Sequence, residues 1–130
     1  MFGGYATNTT TVYLDYDPAA DDVIPVFVAP KTCTIVSASA VSANGLAADG
    51  TNNYSLALRN IGAAGTATTA VAAAIGGTAG WVALVPRTFT ISQTANELAA
   101  GDVLAIVYDE GGTGSFTSTQ VQIDYVLGVS

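Results

Sequence analysis

Short segments in which apolar and polar side chains alternate recur along the chain, and they constrain its fold more than any other feature. Tyr54, Leu56 and Leu58 point to one side of an extended backbone, while the polar residues that alternate with them point to the other. The same alternation occurs in three further segments, at 11–16, 88–92 and 120–125. Because β-branched and aromatic residues are frequent in these segments, the pattern predicts half-buried β-strands.

Other segments are apolar on both sides of an extended backbone, at 23–28, 81–85 and 103–108. Such runs are typical of central strands that are covered on both faces. Pro25 has no amide hydrogen, so its strand lies at a sheet edge or begins there. Clusters of Gly, Asn, Asp and Pro separate the segments. Together these features predict an all-β fold of about eight short strands, an antiparallel sandwich or barrel, and we expect the β-sandwich.

The stretch 62–80, GAAGTATTAVAAAIGGTAG, is an exception because small residues dominate it. Alanine is the best helix former, so a short helix near 67–75 is one reading. A strand between long loops is the other, and we favour it because Thr68, Thr69 and Val71 weaken the helical preference.

The length of 130 residues is typical of one domain. We expect residues 1–20 to form an N-terminal arm and the first strand, and residues 21–130 to form a single β-sandwich domain. The N-terminal sequence lacks the basic and apolar sections of a secretory signal, and no apolar run approaches the roughly 20 residues that span a bilayer. We therefore expect synthesis and assembly in the cytoplasm, without a membrane partner.

The charge balance excludes some partners and predicts others. The chain has a formal net charge of -7, only three Lys and Arg residues and no His, so it lacks the cations that neutralise nucleic-acid phosphates. Charged residues make up 10% of the chain, against roughly 25% in soluble domains. A surface with so little charge exposes apolar patches or covers them with partners, which predicts oligomerisation.

The segment NELAAGDVLAIVY places Gly101 and Asp102 directly before an apolar run. A catalytic Asp needs a partner group and a perturbed environment, and the residues directly beside Asp102 include neither His nor a second acid. A tight corner needs only what is present: Gly101 adopts angles that other residues avoid, and the Asp102 side chain bonds to the nearby backbone. We expect a structural corner.

Other reactive groups receive similar interpretations. Cys33, the single cysteine, lies in a β-type run. We expect it to be a small buried apolar residue and not a nucleophile, since no His is present to activate it. The acidic cluster at 15–22 predicts a solvated loop, with a Ca²⁺ site as the alternative, because its spacing matches no established calcium loop. We expect no catalytic residues, no cofactor and no assigned metal site.

The chain as a whole resembles a known group of proteins. The resemblance lies in four segments: VIPVFVAPKTCTIVSASAV, NYSLALRNIG, RTFTIS and NELAAGDVLAIVYDEGGTGSFTSTQVQIDYVLG. They look like the small jelly-roll proteins that decorate the capsids of tailed phages. The L-x-A-G-D-x-L corner and the final V-x-I-x-Y strand are also similar to the jelly-roll trimers of the tumour necrosis factor and complement C1q type.

The resemblance implies a capsid decoration, or cement, protein that binds as a homotrimer to the major capsid protein on the outer surface of the virion. We expect the N-terminal aromatic residues to contact the partner: Phe2, Tyr5, Tyr13 and Tyr16. We expect the trimer contact within two apolar runs: Trp81, Ala83, Val85, Val103, Ala105 and Val107. A phage fibre or a receptor- or carbohydrate-binding β-sandwich module is the alternative, because exposed aromatic rings also bind sugars.

Overall fold

The structure is a computed structural model that describes residues 6–14, 21–112 and 118–128, and strands dominate these ranges. The strands are β1 Thr7–Leu14, β2 Asp21–Val28, β3 Cys33–Ser42, β4 Asn53–Asn60, β5 Thr69–Gly76, β6 Arg87–Thr88, β7 Glu97–Leu98, β8 Val103–Gly111 and β9 Thr119–Leu127. In the described ranges, the helical structure is a 3-10 turn at Gly77–Ala79, and no helix there is long and apolar enough to cross a membrane.

The strands form two antiparallel sheets, and this confirms the predicted β-sandwich. One sheet has the order β1-β9-β3-β6, with β7 also paired to β3, and the other has the order β2-β8-β4-β5. The pairing is nested, since β1 pairs with β9, β2 with β8, and β4 with β5. The short β6 and β7 both pair with β3 and together fill one position. Eight strand positions paired in this nested order form a jelly roll.

The core lies between the inner faces of the two sheets. The predicted apolar side of β4 is there, with Tyr54, Leu56 and Leu58 fully buried. Val121 and Ile123 of β9 face them from the other sheet and are equally buried. Alternate residues of each strand therefore supply the core, as the period-two pattern predicts.

The prediction of a strand at 81–85 is wrong. Trp81 makes a single bridge to Leu46, and the chain then turns, with a hydrogen bond from the Val85 amide to the Val82 carbonyl. Leu84 within this turn has a φ of 61°, a left-handed conformation that is rare for a residue with a bulky side chain. An apolar run was a misleading signal here because four of its five side chains are exposed.

Two other uncertain stretches are now resolved. The alanine-rich stretch forms the edge strand β5, so the alternative of a helix at 67–75 is wrong. Pairing with β4 overrides the helical preference of alanine because it satisfies the backbone of both strands. The segment 88–92 is strand only at its start, in β6, and it then makes one isolated bridge from Ile91 to Ala72.

Candidate interaction surfaces

The outer faces of the two sheets differ in chemistry. The outer face of the five-stranded sheet is polar, as one row across it illustrates: Thr9 lies opposite Asp124, which lies opposite Ser37. The two Asp124 carboxylate oxygens accept hydrogen bonds from the hydroxyls of Thr9 at 2.7 Å and Ser37 at 2.9 Å. Gln122 and Ser39 form the next row. A face of this kind is suited to water.

The outer face of the four-stranded sheet is apolar at its centre. Register and burial place seven residues on it, here called the apolar face: Val23, Pro25, Val28, Ala57, Val103, Ala105 and Val107. In its middle row Val23 lies opposite Val107, and Val107 lies opposite Ala57. Val23 is 42% exposed and Val28 is 60% exposed. These neighbouring aliphatic side chains form an exposed apolar patch on the sheet.

Two charged residues lie on either side of the row that contains Val107 and Ala57. Arg59 of β4 lies opposite Ala105 in one row. Asp109, which is exposed, lies on the same side of β8 four residues further along, opposite Ser55. At roughly 3.3 Å a residue, the two rows are about 13 Å apart, with the Ala57 row between them. The Val28–Val103 row lies beyond Arg59, so Arg59 is within the apolar face and Asp109 is at one end of it.

A second apolar surface lies at one end of the five-stranded sheet. A cleft of about 250 Å³ is lined by Tyr13, Leu14, Val41, Ala43, Leu84, Ser118, Thr119 and Gln120. Tyr13 and Leu84 are 69% and 72% exposed. The Leu84 amide donates to the Ser42 carbonyl at 2.8 Å, which fixes the turn over the end of the sheet.

The structure separates the residues predicted for contact with a partner. Tyr13 is exposed beside the cleft. Phe2, Tyr5 and Tyr16 lie outside the described residues.

The residues predicted for the trimer contact divide in a similar way. Val103 and Val107 lie half-buried on the apolar face, and Ala83 and Val85 lie exposed in the turn. Ala105 belongs to the apolar face but is completely buried between its neighbours, so its side chain is not free to touch another copy. Trp81 does not fit the predicted trimer contact, because its ring lies in the core and is only 4% exposed.

The corner at Asp102 has the structure predicted for it. Gly101 has a φ of 92°, an angle that suits glycine. One carboxylate oxygen of Asp102 accepts hydrogen bonds from the Ala99 amide at 2.9 Å and from the Asn60 side-chain amide at 3.1 Å. The corner therefore joins the start of β8 to the end of β4.

The other reactive groups are also held in structural positions. Cys33 is fully buried in the core, and burial raises the pKa of its thiol to about 11, which keeps it protonated at neutral pH. The pKa of Asp49 is lowered because the backbone amides of Asn52 and Thr51 donate to its carboxylate. Most of the acidic cluster, residues 15–20, lies outside the described ranges; within those ranges no group of three or more His, Cys, Asp or Glu could hold a metal ion.

Sequence reasoning missed several exposed residues: Val23, Val28, Val82 and Leu84. The edge position that Pro25 predicts for β2 was a usable signal for Val23 and Val28, because an edge strand is covered less than a central one. No pattern in the sequence pointed to Leu84, since its exposure depends on a turn that leucine rarely adopts.

Comparison with protein families, curated proteins and solved structures finds no match for this chain. The interpretation of its surfaces therefore depends on the geometry and on the sequence resemblance given above.

Proposed function

We propose that the chain is a structural protein of a virion, a decoration protein that binds as a homotrimer to the outer surface of a tailed-phage capsid. The observation that carries the proposal is the contrast between the two outer faces of a jelly roll, one polar and one apolar. A protein whose role is to lie between sister copies and a shell needs one surface for each neighbour and one for water.

The second apolar surface supports the same proposal. Tyr13 and Leu84 line the cleft at the end of the five-stranded sheet, and no residue of the apolar face lines it. Two separate apolar surfaces on one small chain are suited to two different neighbours, a sister copy and the major capsid protein. Tyrosine is one of the residue types that most often dominate binding at an interface.

A decoration protein stabilises a shell through many weak contacts. Three linked copies bind with a raised effective concentration, so a modest contact for each copy is sufficient. Because they bind the assembled shell and not its free subunits, they stabilise the shell by mass action. Neither step requires a catalytic group.

The test is co-sedimentation with phage particles from the organism that encodes the chain. Particles banded in a density gradient are analysed by mass spectrometry, and we expect the chain in a fixed ratio to the major capsid protein. Tyr13→Ser together with Leu84→Ser should reduce the number of copies that bind to particles from which the chain has been removed. Val36→Ser, a change at an exposed residue outside the cleft, should not. Absence from the particles contradicts the proposal, and binding to glycans without binding to particles favours the fibre or carbohydrate-binding module.

A further inference from the structure

We infer that the open edge of β1 pairs with β1 of a second copy of this chain, antiparallel about a two-fold axis, so that the two five-stranded sheets become continuous. β1 lies at the end of the order β1-β9-β3-β6, and among the described residues its pairing partner is β9. The contact uses none of the residues predicted for the trimer contact. It is therefore additional to the proposed homotrimer and joins one trimer to another.

Of the sheet edges in the described ranges, β1 is the one that lacks protection against pairing. β2 contains Pro25, a register shift beside it and two Asp residues. β5 has two register shifts, and the Ser92 amide donates to the Val71 carbonyl of this strand at 2.8 Å. β6 and β7 have two residues each. β1 has eight residues in unbroken register and contains neither proline nor charge, which are the features that normally prevent edge strands from pairing.

The backbone of β1 points half of its polar groups to this edge. The Ala43 amide donates to the Ser118 carbonyl at 2.8 Å, and the Gly128 amide donates to the Thr32 carbonyl at 2.7 Å. Even-numbered residues of β9 therefore direct their backbone groups to β3, and odd-numbered ones direct theirs to β1. The odd-numbered residues of β9 pair with the even-numbered residues of β1. The remaining residues of β1 thus direct their N–H and C=O groups to the open side: Thr7, Thr9, Thr11 and Tyr13.

This set of groups is complementary to the same set on a sister strand. In the antiparallel register that uses all four residues, Thr7 lies opposite Tyr13 and Thr9 lies opposite Thr11. Each opposed pair exchanges two hydrogen bonds, which gives about eight between the copies. Pairs of Thr with Thr and of Thr with an aromatic residue are among the stabilising cross-strand pairs. A sister β1 is already extended, so the contact does not have to order a flexible segment.

The charge of the chain also favours a sister copy at this edge. The net charge of -7 makes copies repel wherever their carboxylates meet, but residues 6–14 carry no charge. The nearest acid across the sheet is Asp124, opposite Thr9 on β9. Three strand spacings, about 14 Å, would separate it from Asp124 of the second copy, which exceeds the screening length of roughly 8 Å at physiological ionic strength. Two copies can therefore meet here with little repulsion.

Cysteine cross-linking tests the register. In this pairing, Thr10 of one copy lies opposite Thr10 of the other in a non-hydrogen-bonded pair, with Cα atoms about 4.5 Å apart, and that separation suits a disulfide. We expect Thr10→Cys, combined with Cys33→Ala to remove the native thiol, to form a covalent dimer on mild oxidation. Gln122→Cys in the same background is the matched control, because Gln122 is exposed on the neighbouring strand. It should not cross-link under the same conditions.

A proline at the open edge tests the backbone hydrogen bonds. Thr11→Pro removes an amide hydrogen that points away from β9, so the sandwich should tolerate it, as edge strands tolerate proline. We expect at least about tenfold weaker pairing of copies by analytical ultracentrifugation. Thr11→Val keeps both the amide and the branched side chain and should pair as the wild-type chain does. Urea unfolding of each variant shows whether the fold is intact.

Hydrogen exchange measured by NMR tests the wild-type chain directly. The amides of Thr7, Thr9 and Thr11 should exchange more slowly as the chain concentration rises. Exchange that does not change with concentration, or cross-linking at Gln122 as fast as at Thr10, would overturn the inference. A wild-type chain that pairs through β1 but binds no particle contradicts only the decoration role. A chain that decorates particles while these amides exchange freely contradicts only the edge contact.

Discussion

The indole ring of Trp81 is stacked on the ring of Tyr54, with centroids 5.1 Å apart and planes inclined by 14°. The indole Nε1 donates a hydrogen bond to the Tyr54 carbonyl at 3.1 Å. The ring also lies close against Gly76, where there is no space for a Cβ. A turn outside the sheets is thereby anchored to β4 through its aromatic first residue.

Replacement of this anchor should be costly. Trp81→Ala removes a buried aromatic side chain and should lower the free energy of unfolding by about 3–5 kcal/mol. Trp81→Phe keeps an aromatic ring but loses the hydrogen bond, for a cost nearer 1 kcal/mol from that bond. Urea denaturation measures both. Val82→Ala, at the exposed neighbour, is the control and should change stability by less than about 0.5 kcal/mol; equal effects at both positions would contradict the assigned core role of Trp81.

The Asp102 corner should contribute to stability through its hydrogen bonds. Asp102→Ala leaves the Ala99 amide and the Asn60 side chain without this acceptor, so we expect a loss of about 1–3 kcal/mol in the free energy of unfolding. Asp102→Asn keeps one acceptor oxygen and should cost less. Thermal or urea unfolding checks the order. Glu97→Ala removes an exposed carboxylate nearby and should be close to neutral, so a similar loss there would argue against the corner bonds as the cause.

Leu84 should be one of the few positions at which glycine stabilises the chain. Its φ of 61° costs a residue with a Cβ about 1–2 kcal/mol, and glycine avoids that cost. Because glycine also makes the unfolded chain more flexible, we expect Leu84→Gly to raise the free energy of unfolding by about 1 kcal/mol at most. Val85→Gly lacks this benefit and should destabilise. Chemical denaturation measures the free energy of unfolding of both variants. A lower value for both would contradict a left-handed conformation at Leu84.

Cys33 should report on unfolding. Because its thiol is buried and its pKa is about 11, a maleimide should label the native chain far more slowly than the unfolded chain at neutral pH. The raised pKa favours the protonated thiol in the fold, so this contribution is complete below the unfolded value near 9 and is lost as pH rises toward 11. Stability should therefore fall over that range more steeply in the wild-type chain than in Cys33→Ala. Rapid native labelling, or identical pH profiles, would contradict the prediction.

The sequence predicted the parts of the fold in which one face of a strand is buried and the other is exposed. Alternation at Tyr54, Leu56 and Leu58 and at Val121 and Ile123 identified the inward side correctly, because burial alone decides those positions. The corner at Asp102 was predictable for a related reason, since Gly-Asp chemistry acts locally.

The remaining features depend on contacts between distant residues. The apolar run at 81–85 predicts a strand. In the fold, Trp81 packs on Tyr54 and the residues after it form a turn. The placement of Arg59 and Asp109 on one face follows from the register of β4 against β8, and no local pattern contains that register.

The pairing of β1 with β9 determines when the five-stranded sheet can form. Thr7 lies opposite Val126 and Leu14 opposite Thr119, and β9 also separates β1 from β3. During synthesis, β1 and the edge of β3 that pairs with β9 therefore stay open until β9 has been made, and long-range pairings of this kind form slowly. Until β9 pairs with them, the open edges of β1 and β3 are sites at which another chain can pair, which is the aggregation hazard of unpaired strand edges during folding.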